Sequence, residues 1–66
     1  MPIVRIELFP GRTSAQKAKF AKEVTRLSVE ILGCSKESVD VLFVEVDRQD
    51  WVHAGEPYAS PAEAQR

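Results

Sequence analysis

Five side chains in this sequence are of types that do chemistry at a small-molecule site: Pro2, Arg12, Asp40, Trp51 and His53. Pro2 stands directly behind Met1 and ahead of a strand-like run. Proline has no N–H to donate, and a strand start is a place that tolerates it. Methionine aminopeptidases accept a small second residue, and removal of Met1 leaves Pro2 with a free secondary amine. An ordinary α-amino group titrates at about 7.7–8.0. An apolar pocket or a nearby cation lowers that value, and a neutral amine is a general base. Arg12 follows Gly11 at the entrance to a helical segment. There an arginine can hold a carboxylate through two parallel hydrogen bonds, helped by the N–H groups of the helix end. Trp51 can wall an apolar pocket against water, or simply pack on a neighbour. His53 is a base candidate or an exposed loop residue. Asp40 falls within a second strand, on an otherwise apolar face, so its carboxylate needs an arginine partner or a pocket edge. The lone thiol, Cys34, follows the helix cap and reads as a packing residue.

These residues must be positioned by few elements. Ile3 to Phe9 alternate, with Val4, Ile6 and Leu8 on one side and Ile3, Arg5, Glu7 and Phe9 on the other. Such a β-branched, period-two run is a strand, and Pro10–Gly11 ends it. The stretch "TSAQKAKFAKEVTRLSVEILG" is a helix. Thr13 and Gln16 have capping-box spacing. Phe20, Val24, Leu27 and Ile31 form an apolar stripe that Ala21, Ser28 and Leu32 widen. Gly33 follows where a left-handed cap belongs. After the polar link "CSKES", the run "VDVLFVEV" is a second strand, apolar on both faces. Strand, helix, strand makes a β-α-β unit with a right-handed crossover and parallel strands. One helix covers one face of two strands, so the sheet is to be completed by a second subunit. "DWVHAGEPY" reads as a loop with a short hairpin. The expected division is a domain over residues 1–56 and a Pro/Ala-rich tail over 57–66. The fold class is α+β.

Size and charge narrow the function. The chain has 66 residues, one cysteine, one histidine and a net charge of −1. So short a chain buries only about 60% of its unfolded surface and commonly needs a staple. One cysteine allows no internal disulfide, and one histidine allows no zinc cluster of the Cys/His type. Oligomerisation is the staple that remains. No basic run marks a nucleic-acid footprint, and no apolar run is long enough to span a membrane. With no secretory signal core, the expected location is the cytoplasm.

Together these features resemble the tautomerase superfamily, in its small 4-oxalocrotonate tautomerase subgroup. The resemblance rests on the Met-Pro-Ile start, "GRTSAQK", the amphipathic helix, "SVDVLFVEV" and "WVHAGE", and it covers residues 2 to about 56. It implies a homohexamer built as a trimer of dimers, with no metal or organic cofactor. It implies that processed Pro2 removes a proton from a 2-hydroxydienoate or enol acid and returns it to another carbon, giving the 2-oxo acid. Arg12 would then bind the substrate carboxylate, and Trp51 would keep the site apolar.

Two positions depart from the resemblance. The subgroup's second arginine falls at Asp40, which puts a dicarboxylate substrate in question, with Arg5 or Arg48 as replacements. His53 falls where the related chloroacrylate dehalogenases place a water-activating glutamate, and Asp40 resembles the strand acid of malonate semialdehyde decarboxylases. Two alternatives therefore stand beside the tautomerase. One is a hydratase or dehalogenase-like lyase acting on an unsaturated three-carbon acid, with His53 or Asp40 orienting water. The other is a non-catalytic oligomeric member.

Overall fold

The computed structural model describes residues 1–58. Strand β1 runs Ile3–Leu8, helix α1 Ser14–Leu32 and strand β2 Asp40–Glu45, with a single 3-10 turn at Lys36–Ser38 before β2. A second 3-10 turn, Arg48–Asp50, leads to a hairpin of β3 (Val52–His53) and β4 (Glu56–Pro57). β1 and β2 pair in parallel, with Ile3 beside Asp40 and Leu8 beside Glu45. Two further bonds extend the ladder: Asp40 N–H donates to the Pro2 carbonyl (3.1 Å), and Val46 N–H to the Leu8 carbonyl (2.9 Å). The β-α-β unit is therefore as the sequence implies. The hairpin takes in Pro57, one residue past the expected domain end, and the expected tail lies from residue 59 onward outside the described residues.

Local chemistry sets the ends of α1. The Thr13 hydroxyl accepts from Gln16 N–H (3.1 Å), and the Gln16 side chain accepts from Thr13 N–H (2.8 Å). This reciprocal box satisfies two donors that the helix cannot. At the other end Gly33 adopts φ 74°, and its N–H returns to the Val29 carbonyl at 3.2 Å.

The covered face of the helix differs from the expected stripe. Phe20, Leu27 and Ile31 remain 51%, 42% and 72% exposed. The residues turned to the sheet are Lys17, Ala21, Val24 and Ser28, and Ser28 alone is buried. The reason is width. The sheet has two strands about 4.8 Å apart, which is narrower than the helix itself at about 10–12 Å. Only a narrow sector of α1 can seat on it, and small side chains let the helix approach closely. Ser28 enters this seam because its hydroxyl donates to the Val24 carbonyl (2.8 Å) and is satisfied. Lys17 ties the helix to β2 through Glu45 at 2.6 Å. Phe20 meets Phe43 of β2 edge-on at 6.4 Å. On the far side of the sheet Ile3 and Leu42 are 63% and 48% exposed.

The caps give a direct stability test. A Cβ added at Gly33 meets nothing within 4 Å, so Gly33→Ala costs only its left-handed backbone. It should destabilise by about 1–2 kcal/mol, and Thr13→Ala by about 1 kcal/mol. Thermal melts at fixed protein concentration should show both as lowered midpoints, with Thr13→Ser close to wild type.

Candidate active site

The two ends of β1 hold different chemistry. At its start Pro2 is half-buried and continues the alternation that turns Val4, Ile6 and Leu8 toward the helix. Its carbonyl is fixed by the Asp40 N–H. Its nitrogen lies in the peptide bond to Met1, which is 87% exposed. Asp40 is not within the strand on a buried face, as its sequence context implied. It is the first residue of β2 and is exposed. An exposed carboxylate at a strand start is hydrated, so it needs no arginine partner.

Past the other end of β1, Arg12 sits at the mouth of an apolar cleft of about 340 Å³, floored by Ile6, Leu8, Phe20 and Phe43. Gln16 and Lys17 complete the rim. Gln16 is engaged in the helix cap and Lys17 in its ion pair with Glu45. Arg12 has no ion-pair partner among the described residues. A cation above apolar walls, beside the first turn of a helix, can receive a carboxylate whose hydrocarbon end lies in the cleft.

Trp51 belongs to the same end. Its ring lies 4.4 Å from Phe9, centroid to centroid, and Tyr58 packs edge-on against both Phe9 (5.4 Å) and Trp51 (6.1 Å). The hairpin creates this cluster. Val52 pairs with Pro57 and His53 with Glu56, which brings Trp51 opposite Tyr58; Tyr58 N–H donates to the Trp51 carbonyl at 3.0 Å. His53 stacks on Tyr58 at 6.0 Å and is exposed. The Arg48 guanidinium lies over the Phe9 ring at 4.2 Å.

Pro2 is thus brought together with Asp40, and Trp51 and His53 with Tyr58 and Phe9, near Arg12. Within one chain the two groups do not meet, because the six residues of β1 separate them by about 20 Å. Phe9 and Tyr58 were missed as site residues by sequence reasoning. Their signal was the symmetric placement of Trp51 and Tyr58 about Ala54–Gly55, which a two-residue turn converts into a cross-strand pair. Among the described residues, no three His, Cys, Asp or Glu side chains gather to hold a metal ion. No described helix is long and apolar enough to cross a membrane. Cys34 is half-buried, with its sulfur 3.5 Å from the Ser28 carbonyl.

Residues 2–60 match the tautomerase enzyme family. The chain belongs to the tautomerase family. It is 41% identical over 56 residues to a probable tautomerase of Streptococcus pneumoniae serotype 4, covering 85% of this chain and 93% of that protein. Among solved structures it is similar to DmpI from Helicobacter pylori, with 33% identity and a TM-score of 0.78 over 86% of this chain and 95% of that one. It is also similar to TomN, a 4-oxalocrotonate tautomerase homologue of the tomaymycin biosynthetic pathway, with 28% identity and a TM-score of 0.80 over 86% and 88% of the two chains. The matched residues take in both the β-α-β unit and the hairpin.

The hairpin that presents Trp51 carries one strained residue. Ala54 has φ 53° and Gly55 φ 84°, as a type I′ turn requires. Asparagine tolerates the first position better than alanine, and valine worse. Ala54→Asn should slow exchange of the Tyr58 amide severalfold, and Ala54→Val should speed it, as read by hydrogen exchange.

Proposed function

We propose that this tautomerase-family chain is a cofactor-independent keto–enol tautomerase of a small enol acid or 2-hydroxydienoate, with Pro2 as its base. The observation that carries the reading is a half-buried proline at position 2 in a chain that also sets Arg12 at the mouth of an apolar cleft. With Met1 removed, the neutral proline nitrogen takes the enol hydroxyl proton. The ammonium so formed returns a proton to a carbon of the conjugated chain, giving the 2-oxo acid with no net loss or gain of atoms. Arg12 holds the carboxylate. Trp51, backed by Phe9, excludes water and so favours the neutral amine.

The proposed reaction needs a second copy, because within one chain Pro2 and the Arg12–Trp51 end lie about 20 Å apart. β1 and β2 form a two-stranded sheet, and the helix lies more over β2 than over β1. A second copy running antiparallel along β1 would extend the sheet and cover the apolar cleft. It would also set Pro2 of one copy beside the Arg12–Trp51 end of the other. This is the physical basis for reading the protein as a homo-oligomer; the hexamer of three such dimers, located in the cytoplasm, is proposed from the family resemblance.

A second reading rests on Asp40, whose backbone bonds to Pro2. A carboxylate near the amine favours its protonated form, which would suit acid-catalysed hydration or dehalogenation of an unsaturated three-carbon acid. His53, at the opposite end of its own chain, could orient water there only from a neighbouring copy.

Mass, kinetics and titration test these readings. Intact mass should show that Met1 is absent. The processed protein should accelerate ketonisation of phenylenolpyruvate or 2-hydroxymuconate, followed by ultraviolet absorbance, and Pro2→Ala should lower kcat at least about 100-fold. Processed protein without any acceleration, or an undiminished Pro2→Ala variant, would end the tautomerase reading. A chain that retains Met1 would favour a non-catalytic member. Removing an anion beside the amine lowers its pKa, so Asp40→Asn should shift the acid limb of the pH–rate profile to lower pH. Under the hydration reading Asp40→Asn should instead abolish activity toward a 3-haloacrylate, and Pro2 should titrate as mostly protonated at pH 7.

A further inference from the structure

The segment that carries Trp51 is bonded mainly to itself. Asp50 N–H donates to the Asp47 carbonyl (2.9 Å), Trp51 N–H to the Arg48 carbonyl (3.2 Å) and Tyr58 N–H to the Trp51 carbonyl (3.0 Å). Among the described residues, no hydrogen bond or ion pair joins 47–58 to β1, α1 or β2. Aromatic packing supplies the tie instead. Phe9, half-buried at the exit of β1, has Trp51 at 4.4 Å and Tyr58 at 5.4 Å, and the Arg48 guanidinium lies 4.2 Å over its ring. Arg48 and Trp51 reach the same ring for a geometrical reason. They stand at i and i+3 about one 3-10 turn, and side chains at that spacing eclipse. Both therefore project from one side of the turn. Asp47 and Asp50 flank Arg48 in sequence, yet no carboxylate lies within ion-pair distance of it among the described residues. Its placement follows the ring, whose electron-rich face attracts a cation.

We propose that Arg48 is a positioning residue for Trp51: its charge seats on Phe9 and so holds the turn, and with it the indole, at the exit of β1. Arg48 touches neither substrate nor proton in this role. The proposal rests on the reading of Trp51 as the wall that excludes water from the Pro2 amine, and it adds what keeps that wall in place. Arg48 is exposed, so its replacement removes the contact with Phe9 without opening the core.

Two readouts on the full-length protein test this without turnover. Trp51 is the chain's single tryptophan, so its fluorescence reports its own placement. Arg48→Gln removes the charge. It should move Trp51 emission to the red and speed exchange of the Tyr58 amide about two- to fivefold, the scale of one exposed cation–π contact. Arg48→Lys should restore both, because an ammonium also seats on a ring face. Phe9→Leu keeps an apolar side chain without a π face, and in that background Arg48→Gln should add nothing. Unchanged emission and exchange in Arg48→Gln overturn the proposal. So does a lysine that fails to rescue, or an effect of Arg48→Gln that persists undiminished in Phe9→Leu. Turnover connects the contact to the reaction. Loss of the wall favours the protonated amine, so Arg48→Gln should move the acid limb of the ketonisation pH–rate profile to higher pH. It should add no shift to Trp51→Ala. A shift that persists in Trp51→Ala means that Arg48 acts on the amine directly, and it overturns the positioning role. Protein that shows the emission and exchange changes yet ketonises no enol acid removes the catalytic reading and leaves the hold on Trp51 standing.

Discussion

Parallel pairing of two strands decides where everything else in this chain can be. Parallel strands start at the same end, so the start of β1 and the start of β2 must be neighbours. The Asp40 N–H to Pro2 carbonyl bond is the first rung of that ladder, and Val46 N–H to Leu8 carbonyl is the last. The segments that leave β1 and β2 are then gathered at the far end. Phe9 and Arg12 come from the first strand's exit, and Arg48 and Trp51 from the second's. The division of a proline at one end from cations and aromatics at the other is thus a property of topology. No side-chain adjustment within one chain could close a gap of about 20 Å.

The same topology leaves the helix under-occupied. A two-stranded sheet offers α1 a seat only one narrow sector wide, and no large side chain of the described chain is fully buried. Phe20, Leu27 and Ile31 make an apolar flank beside a cleft that already reaches β1. On the opposite flank lie the small residues Ala18 and Thr25, with Val29. Exposed apolar surface on this scale is unfavourable for an isolated chain of this size. In the proposed assembly, stability and the site would be coupled, because the contacts that cover the flank would also set the distance between the two ends of neighbouring strands.

The sequence discloses those features whose physics is local. Thr13, Gln16 and Gly33 act within a few residues of themselves, and their spacing located both helix ends. Alternation in Ile3–Leu8 assigned the strand's faces for the same reason. The helix stripe misled because periodicity reports how much of a helix is apolar, and the sheet's width decides which sector is seated. Ser28 looked like an edge residue until its bond to Val24 showed why a hydroxyl can enter the seam. Asp40 looked buried because its neighbours are apolar, but the ladder makes it the first residue of its strand. Phe9, Tyr58 and the stacked guanidinium of Arg48 were out of reach for another reason. They meet through contacts between residues far apart in the chain, fixed by a hairpin register that needs Ala54 in a left-handed conformation.

On the proposed reading the base is built from a chain terminus, which would have a particular advantage on this fold. A lysine would have to immobilise a long, flexible stem before its nitrogen could act. The nitrogen of Pro2 has no stem, and its ring restricts φ. One ladder bond to its carbonyl fixes it relative to β2. That bond uses only the backbone N–H of Asp40, which any residue except proline could supply. The side chain at position 40 is therefore released from the structural task and, on the proposed reading, would act on the amine through its charge. A cation there would favour the neutral base, and the aspartate present favours the protonated form. The aromatic wall at the other strand end acts in the opposite sense, because exclusion of water penalises the charged amine. Under that reading, proton abstraction or proton donation at Pro2 would be decided by which of these two influences, each delivered by a different strand end, is stronger once two copies bring them together.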